Sequence, residues 1–461
     1  MRLGLAALLV LTALRLALAA SLPLVPDEAY YFLWSTHLQP GYFDHPPMVA
    51  LWIRAGTALF GPSSLGVRLL GPLSVLAGSL LLWDAAERLF PGKRAGLTAA
   101  ACLNATLLLG AGAVLMTPDT PLLFFWSAGI WAMARLISSG KPVWWLAAGL
   151  VAGLALLSKY TGLLFILAVF GWVLAGRQER RWLRTPWPWA AAVLAMLVFA
   201  PDIAWNAANS WVSYFKQGGR EAGFQPGRAL GFLASLLGSQ FFLFTPVIAV
   251  LAVRGVWGLR HDDAPGPRLL LWLTLLPGAV LLEHVLSQRV EANWVAVMYP
   301  PACIAIGALP AALLARWRKP ALALGFGITG LVYVQALAAP LPIPPRMDTS
   351  ALQMAGWKQL GEQLAAMHPD FVMADDYATA AALAYYAPPG LRVVGFEPRW
   401  SYFDWQSASL EGEAGIMITH RPHAPCEKIG TLTRERDGKK VQDYRLCRYV
   451  ALWPGTWLPR P

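Results

Sequence analysis

Asp27, Glu28, Asp44 and His45 fall within one stretch, VPDEAYYFLWSTHLQPGYFDHPPMVALW, that is otherwise largely aromatic and apolar. Asp119 stands between two prolines in MTPDTPLLFFW, Lys159 is the lone ammonium of LLSKYTG, and SQRVEANW brings together Arg289, Glu291 and Asn293 just after Glu283 and His284. A carboxylate can take a proton from an acceptor hydroxyl. Cations, or a metal held by Asp44 and His45, can neutralise a phosphate as it leaves. The set suits transfer of a group from a lipid phosphate to a hydroxyl, with Lys159 holding a phosphate oxygen. Each member also has a plainer reading: the first acids as solvated loop charges, Asp119 as a helix cap, Lys159 snorkelling to headgroups, and Glu283 and His284 pairing with other buried groups.

A loop that needs only solubility has no use for Tyr30, Tyr31, Trp34, Tyr42, Phe43 and two consecutive prolines. The pattern predicts a short helix over residues 28–37 lying along a membrane interface, with Tyr30, Tyr31 and Trp34 as anchors. A turn at Gly41 follows, His45-Pro46-Pro47 stops any helix, and a second interfacial helix is expected over residues 48–60. Both acidic clusters are then presented on a folded ledge.

The elements that must position these groups are membrane spans. Of 461 residues 57% are hydrophobic and 14% charged, against about 25% charged in an ordinary soluble domain. Apolar runs of roughly spanning length predict eleven helices, at residues 3–22, 65–83, 96–116, 120–136, 143–157, 161–175, 187–203, 229–253, 269–286, 294–314 and 321–339. Basic clusters alternate with them: Arg2; Arg88, Lys93 and Arg94; Arg135 and Lys141; Arg177 to Arg184; Arg254 to Arg268; and Arg316, Arg318 and Lys319. The positive-inside rule places these in the cytoplasm. The carboxylate-bearing segments 23–47, 117–119, 158–160, 204–228 and 287–293, and the tail, then lie outside. Residues 340–461 carry 13 basic and 13 acidic residues, so the whole excess of +11 belongs to the membrane part. That charge reports topology, and no nucleic-acid partner is implied.

Small residues at Ala17 to Ser21 could mimic a signal cleavage site, but Arg15 interrupts the run and cleavage would detach the acidic segment from its anchor. Two domains are expected: 1–339, the membrane part with the first-loop helices, and 340–461. In the tail, residues 357–367 and 377–386 read as helices and 370–374, 392–396 and 415–419 as strands, which gives a small α/β unit. Asp375 and Asp376 end its first strand, as caps or loop charges or as acceptor-binding groups. Cys102 and Cys303 sit in spans. Cys426 and Cys447 both lie in the tail, where an extracytoplasmic disulfide can persist.

The series DEAYYFLW, GYFDHPP, TPDTPLLFFW, LSKYTG and VEANW, in this order, resembles bacterial members of the protein O-mannosyltransferase-like superfamily, glycosyltransferase family 39, and the neighbouring lipid A aminoarabinose transferases of family 83. The resemblance covers the membrane part, most strongly the first 230 residues. It implies a GT-C fold, mainly α, and inverting transfer from an undecaprenyl-phosphate-type sugar donor outside the membrane. It also implies that Asp27, the first acid of the Asp-Glu motif, is the base or orients the acceptor, with Glu28 beside it and Asp44 near the lipid phosphate. Donor phosphate contact falls to His45, Lys159 and Arg289, and Tyr30, Asp119, Glu291 and Asn293 belong to the same site. The chain departs from the pattern at Asp44-His45-Pro46-Pro47, where the aminoarabinose transferases have Phe-Glu-Lys-Pro. His45 replaces the phosphate-binding Lys, with Lys159 as the compensating cation. A divalent metal at Asp44 and His45 lacks a full set of ligands in the sequence.

A transporter or flippase of lipid-linked sugars would show internal repeats or broken helices at the midplane, and no repeat is visible. A scaffold has no reason to gather Asp27, Asp44, Asp119 and Lys159 on one side. The acceptor is read as lipid A, core oligosaccharide or another glycolipid in a bacterial inner membrane, with protein Ser/Thr as the alternative.

Overall fold

The computed structural model describes residues 2–218, 226–403, 405, 407–408, 410, 412–421, 426–450 and 455–459. Part of the expected external segment 204–228 (219–225) therefore lies outside the described residues. Packing divides the chain into two units. One comprises Met1–Ala17, Asp44–Val49 and Leu70–Val332, and the other Leu18–Phe43, Ala50–Leu69 and Tyr333–Pro461. The first-loop helix Pro26–Thr36 and most of Met48–Phe60 thus fall in the same unit as the tail.

Among the described residues, six helices are long and apolar enough to cross a membrane: Arg2–Ser21, Ser64–Leu89, Asp119–Ser139, Trp187–Ala208, Pro265–Val285 and Ala311–Ala338. The protein is a multi-pass membrane protein, but its helices do not follow the expected eleven spans. The expected span 229–253 is two helices, Gly227–Leu243 and Pro246–Leu259, bent by 104°. Thr245 has a positive φ of 64° and Pro246 opens the second helix, so the ladder cannot run through. The span expected at 96–116 is interrupted at Thr106, whose extended backbone separates Ala95–Ala105 from Leu107–Gly112. Val143–Ser158, Tyr160–Ala175 and Ala292–Gly307 are shorter apolar helices. Arg316, Arg318 and Lys319, expected between two spans, lie inside Ala311–Ala338.

Within the first unit, Val143–Ser158 packs closely on Trp187–Ala208. A Cβ at Gly149 would come 2.3 Å from the Ala191 carbonyl oxygen, and one at Gly153 would come 2.7 Å from Val198 Cβ. Small residues at this contact let the backbones approach. Arg15 is buried and donates to Asn104 Oδ1 at 2.7 Å, while Asn104 Nδ2 donates to Ser79 Oγ at 2.7 Å. This polar chain gives an intramembrane cation a buried hydrogen-bond partner.

The second unit holds a seven-stranded sheet. Its strands are β1 (Phe371–Ala374), β2 (Val393–Gly395), β3 (Ser407–Ala408), β4 (Ala414–Thr419), β5 (Lys428–Arg436), β6 (Lys439–Val450) and β7 (Gly455–Trp457). The order is β3-β7-β2-β1-β4-β6-β5, with β2, β1 and β4 parallel and the flanking pairs antiparallel. Helices Trp357–Ala365 and Tyr377–Tyr386 match the tail helices expected from the sequence. The β5–β6 hairpin is additional. It turns at Asp437 (φ 52°) and Gly438 (φ 71°), the Asp-Gly pair that suits a two-residue turn with both φ positive. Cys426 and Cys447 form a disulfide beside it.

Candidate functional site

In the second unit the first-loop helix runs Pro26–Thr36, with Pro26 at its opening turn and Asp27 and Glu28 in that turn. The two adjacent carboxylates have different fates. Glu28 is fully buried and ion-paired with Arg68, which is fully buried as well. Glu28 Oε1 accepts from Arg68 Nε at 2.7 Å, and Oε2 accepts the Val25 backbone N–H at 3.0 Å, capping the helix. Arg68 also donates to the carbonyls of Leu22 (2.7 Å) and Pro23 (2.8 Å). Glu28, expected beside Asp27 in the Asp-Glu motif, is engaged here in holding the start of the helix.

Asp27 is only half-buried, and its Oδ1 accepts from Tyr377 Oη at 3.0 Å. Its surroundings are aromatic. Tyr30 packs its ring 4.9 Å from Tyr377 and 5.4 Å from Trp400. The Arg399 guanidinium lies 3.9 Å from the Tyr377 ring centroid, and its Nε donates to Glu397 at 2.6 Å. Tyr385 and Tyr386 donate to the carbonyls of Pro62 (2.8 Å) and Leu24 (3.0 Å), tying the tail helix to the first-loop segment. Burial pushes the Tyr385 phenol up to about 12, with Glu28 raising it and Arg68 lowering it, so it stays a donor at neutral pH. Arg68, Tyr377, Arg399 and Trp400 carry no motif signal. Arg68 could have been suspected as a lone cation in an apolar run.

In the first unit, three of the expected residues meet. Lys159 Nζ is 2.8 Å from Asp119 Oδ1, and Asn293 Nδ2 donates to Asp119 Oδ2 at 2.6 Å. The Lys159 and Asp119 side chains are 8% and 15% exposed, so the pair is largely withdrawn from water. Asp119 opens helix Asp119–Ser139 without making a side-chain cap of its own; its two oxygens serve Lys159 and Asn293 instead. Arg289 and Glu291 are exposed, and among the described residues they neither line the cavity described next nor join this cluster. The expected phosphate contact by Arg289 is not what the geometry brings together. Glu283 is exposed, and His284 Nε2 lies 2.7 Å from Gln288 Nε2.

Lys159 lines a cavity of about 840 Å³. Its polar end has His45, Lys159, Tyr160, Tyr214, Gln217 and His284, with Trp294 beside them. The remainder is apolar, built from Ala148, Gly149, Ala152, Leu156, Phe165, Val169, Ala191, Ala195, Phe199 and their neighbours. The small residues that bring the two helices together also keep this wall smooth. Gln217 Nε2 donates to the Asp44 backbone carbonyl at 2.6 Å, fixing the segment that carries His45. Asp44 and His45 are half-buried. Among the described residues, the one group of three His, Cys, Asp or Glu ligand atoms within 4.8 Å is Asp375, Asp376 and His420, so no third protein ligand joins Asp44 and His45.

The polytopic apolar helices and the small C-terminal sheet unit are those of the GT-C fold, which solved membrane proteins share with this chain. Residues 44–205 match the family described as dolichyl-phosphate-mannose-protein mannosyltransferase. Over 382 residues the chain is 28% identical to the lipid A galacturonosyltransferase RgtD of Rhizobium johnstonii, covering 78% of this chain and 76% of that protein. ArnT from Cupriavidus metallidurans bound to undecaprenyl phosphate shares the fold, with a TM-score of 0.66 and 18% identity over 100% of this chain and 98% of that one. Its apo structure gives 0.65 at 17% identity over 97% of each.

Proposed function

We propose that this protein moves a sugar from a polyprenyl-phosphate donor to lipid A on the outer face of a bacterial inner membrane, with its amino terminus in the cytoplasm and its tail outside. The observation that carries the reading is the cavity: an apolar space of about 840 Å³ ending in Lys159, His45 and His284. An isoprenoid chain needs the apolar part, and its phosphate needs the polar end, where Lys159 supplies a positive charge. Lys159 has three N–H donors, of which Asp119 takes one, and the others are available to a phosphate oxygen. A divalent ion at Asp44 and His45 would draw its remaining ligands from the donor phosphate and water. The acceptor follows the relatives, with a galacturonosyl unit as the sugar to look for first.

In this reading Asp27 acts as general base. It accepts the proton of the acceptor hydroxyl, the hydroxyl oxygen bonds to the anomeric carbon, and the bond from that carbon to the phosphate oxygen breaks. The polyprenyl phosphate departs with its charge met by Lys159. Direct displacement inverts the anomeric configuration.

The test is mass spectrometry of lipid A, other envelope glycolipids and envelope proteins from cells lacking the gene, complemented with wild type or Asp27→Asn. A lipid A sugar restored by wild type and not by Asp27→Asn supports the whole assignment. Restoration by both removes Asp27 from the chemistry. A change confined to glycoproteins moves the acceptor to Ser/Thr.

A further inference from the structure

Asp202 and Asn206 form a second polar group in the first unit that the transfer mechanism does not use. They lie one turn apart on helix Trp187–Ala208, directly after Pro201, and both are fully buried. Asp202 Oδ2 accepts from Tyr214 Oη at 3.2 Å and from Asn206 Nδ2 at 3.2 Å. Asn206 Nδ2 also reaches Tyr160 Oη at 3.3 Å. The rings of Tyr160 and Tyr214 meet edge to face with centroids 5.0 Å apart. Both tyrosines line the cavity, whereas Asp202 and Asn206 do not. The short helix Val212–Gly218 carries Tyr214 at one point and Gln217, which holds the Asp44 carbonyl, one turn later.

A merely structural pair would be expected to satisfy itself. Here Asp202 Oδ1 and Asn206 Oδ1 are both buried without a hydrogen-bond partner, an arrangement that is destabilising and that two apolar residues would avoid. An ionisable side chain kept in an apolar helix on such terms points to a role in function.

We propose that Asp202 is a positioning residue for donor recognition: through Tyr214, and through Asn206 and Tyr160, it sets the aromatic wall at the polar end of the cavity against which the donor's phosphate end is seated. This rests on reading the cavity as the donor site. Asp202 takes no proton and touches no substrate; its effect passes through two phenols and the helix that carries Gln217.

The experiment measures binding of undecaprenyl phosphate to the purified full-length protein in nanodiscs, and donor KM and kcat, for wild type, Asp202→Leu, Asp202→Asn, Tyr214→Phe and Asp202→Leu/Tyr214→Phe. Asp202→Leu and Tyr214→Phe are each expected to weaken binding and raise donor KM about tenfold, the effect of one lost hydrogen bond of the stronger kind, with kcat within about twofold. The double variant is expected to be no worse than the single ones, because both remove one contact. Asp202→Asn keeps an acceptor oxygen for Tyr214 and should bind nearly as wild type. Should Asp202→Leu fail to fold, Tyr214→Phe and Asp202→Asn still decide the matter. Wild-type affinity in Tyr214→Phe, additive losses in the double variant, or a fall confined to kcat overturns the positioning role while leaving the donor site standing. No binding of undecaprenyl phosphate by wild type overturns the donor site, and this proposal with it.

Discussion

Neighbouring carboxylates at positions 27 and 28 illustrate how burial divides labour. Glu28 and Arg68 are both withdrawn from water and hydrogen-bonded on several sides. Removing one partner strands the other charge, at a cost of about 3–5 kcal/mol. Glu28→Ala is therefore expected to lower the melting temperature and the yield of folded protein, while Asp27→Asn leaves both unchanged and stops transfer. Thermal melts of the two purified variants beside wild type check this, and an unaltered melt for Glu28→Ala would refute the structural role. Asp119 and Lys159 stand out in the sequence because each is a polar intruder at the end of an apolar run, Asn293 is marked only by the VEANW motif of the resemblance, and the fold joins all three. Arg68 and Asp202 are intruders of the same kind. Their partners are legible only in three dimensions: Glu28 lies 40 positions from Arg68, and Tyr160 lies 46 from Asn206. Arg289 and Glu291 sit in the motif that also carries Asn293, yet their side chains are exposed, because a motif fixes chain position and not side-chain direction.

At the level of elements, tight turns decide where charged groups arrive. Helix Met48–Phe60 is followed by a bend and the one-turn helix Ser64–Arg68, capped by Ser63, whose Oγ accepts the Gly66 N–H at 3.0 Å. A Cβ on Gly66 would stand 2.2 Å from the Gly61 carbonyl oxygen, a backbone atom that cannot swing away. Gly66→Ala should cost about 1–3 kcal/mol and displace Arg68 from Glu28. A melting temperature lowered together with that of Glu28→Ala, and not further lowered in the double variant, is the expected result. Element types in the tail were readable from alternation and helix period. The kink at Thr245 was not, since a proline in an apolar run marks a weak point without giving the angle. The tail also contains an acid-sensitive joint. Burial raises the Asp348 carboxyl, but hydrogen bonds from Ser350 and Gln335 outweigh it and hold the group below the ordinary carboxylate range. Because the folded form is the stronger acid, its contribution is complete above the unfolded value of about 4 and is lost as pH falls through the folded value. Unfolding monitored from pH 7 downward should show constant stability to about pH 5 and a decline below about 4. Asp348→Asn is expected to shallow that decline.

For the whole molecule, sidedness decides whether the proposed chemistry has access to its acceptor. Positive charge is concentrated in the first 339 residues and balanced in the tail, and insertion follows the basic loops. Among the described residues, fewer helices are long enough to span than the apolar runs suggested, and two runs are broken, so counting spans no longer fixes the side of the tail by itself. Charge still supports the proposed orientation: Arg177, exposed just after Tyr160–Ala175 and followed by Arg180, Arg181 and Arg184, is expected in the cytoplasm, and Leu38 and Lys358 are expected outside. Cys102 and Cys303 are buried and Cys426 is joined to Cys447, so a new cysteine can be read against a low background. Leu38→Cys and Lys358→Cys are expected to react with a membrane-impermeant maleimide in intact cells, and Arg177→Cys only after permeabilisation. The opposite pattern would place Asp27 on the cytoplasmic face, where it could act only on acceptors still on the inner leaflet, and an outer-face transfer would be ruled out.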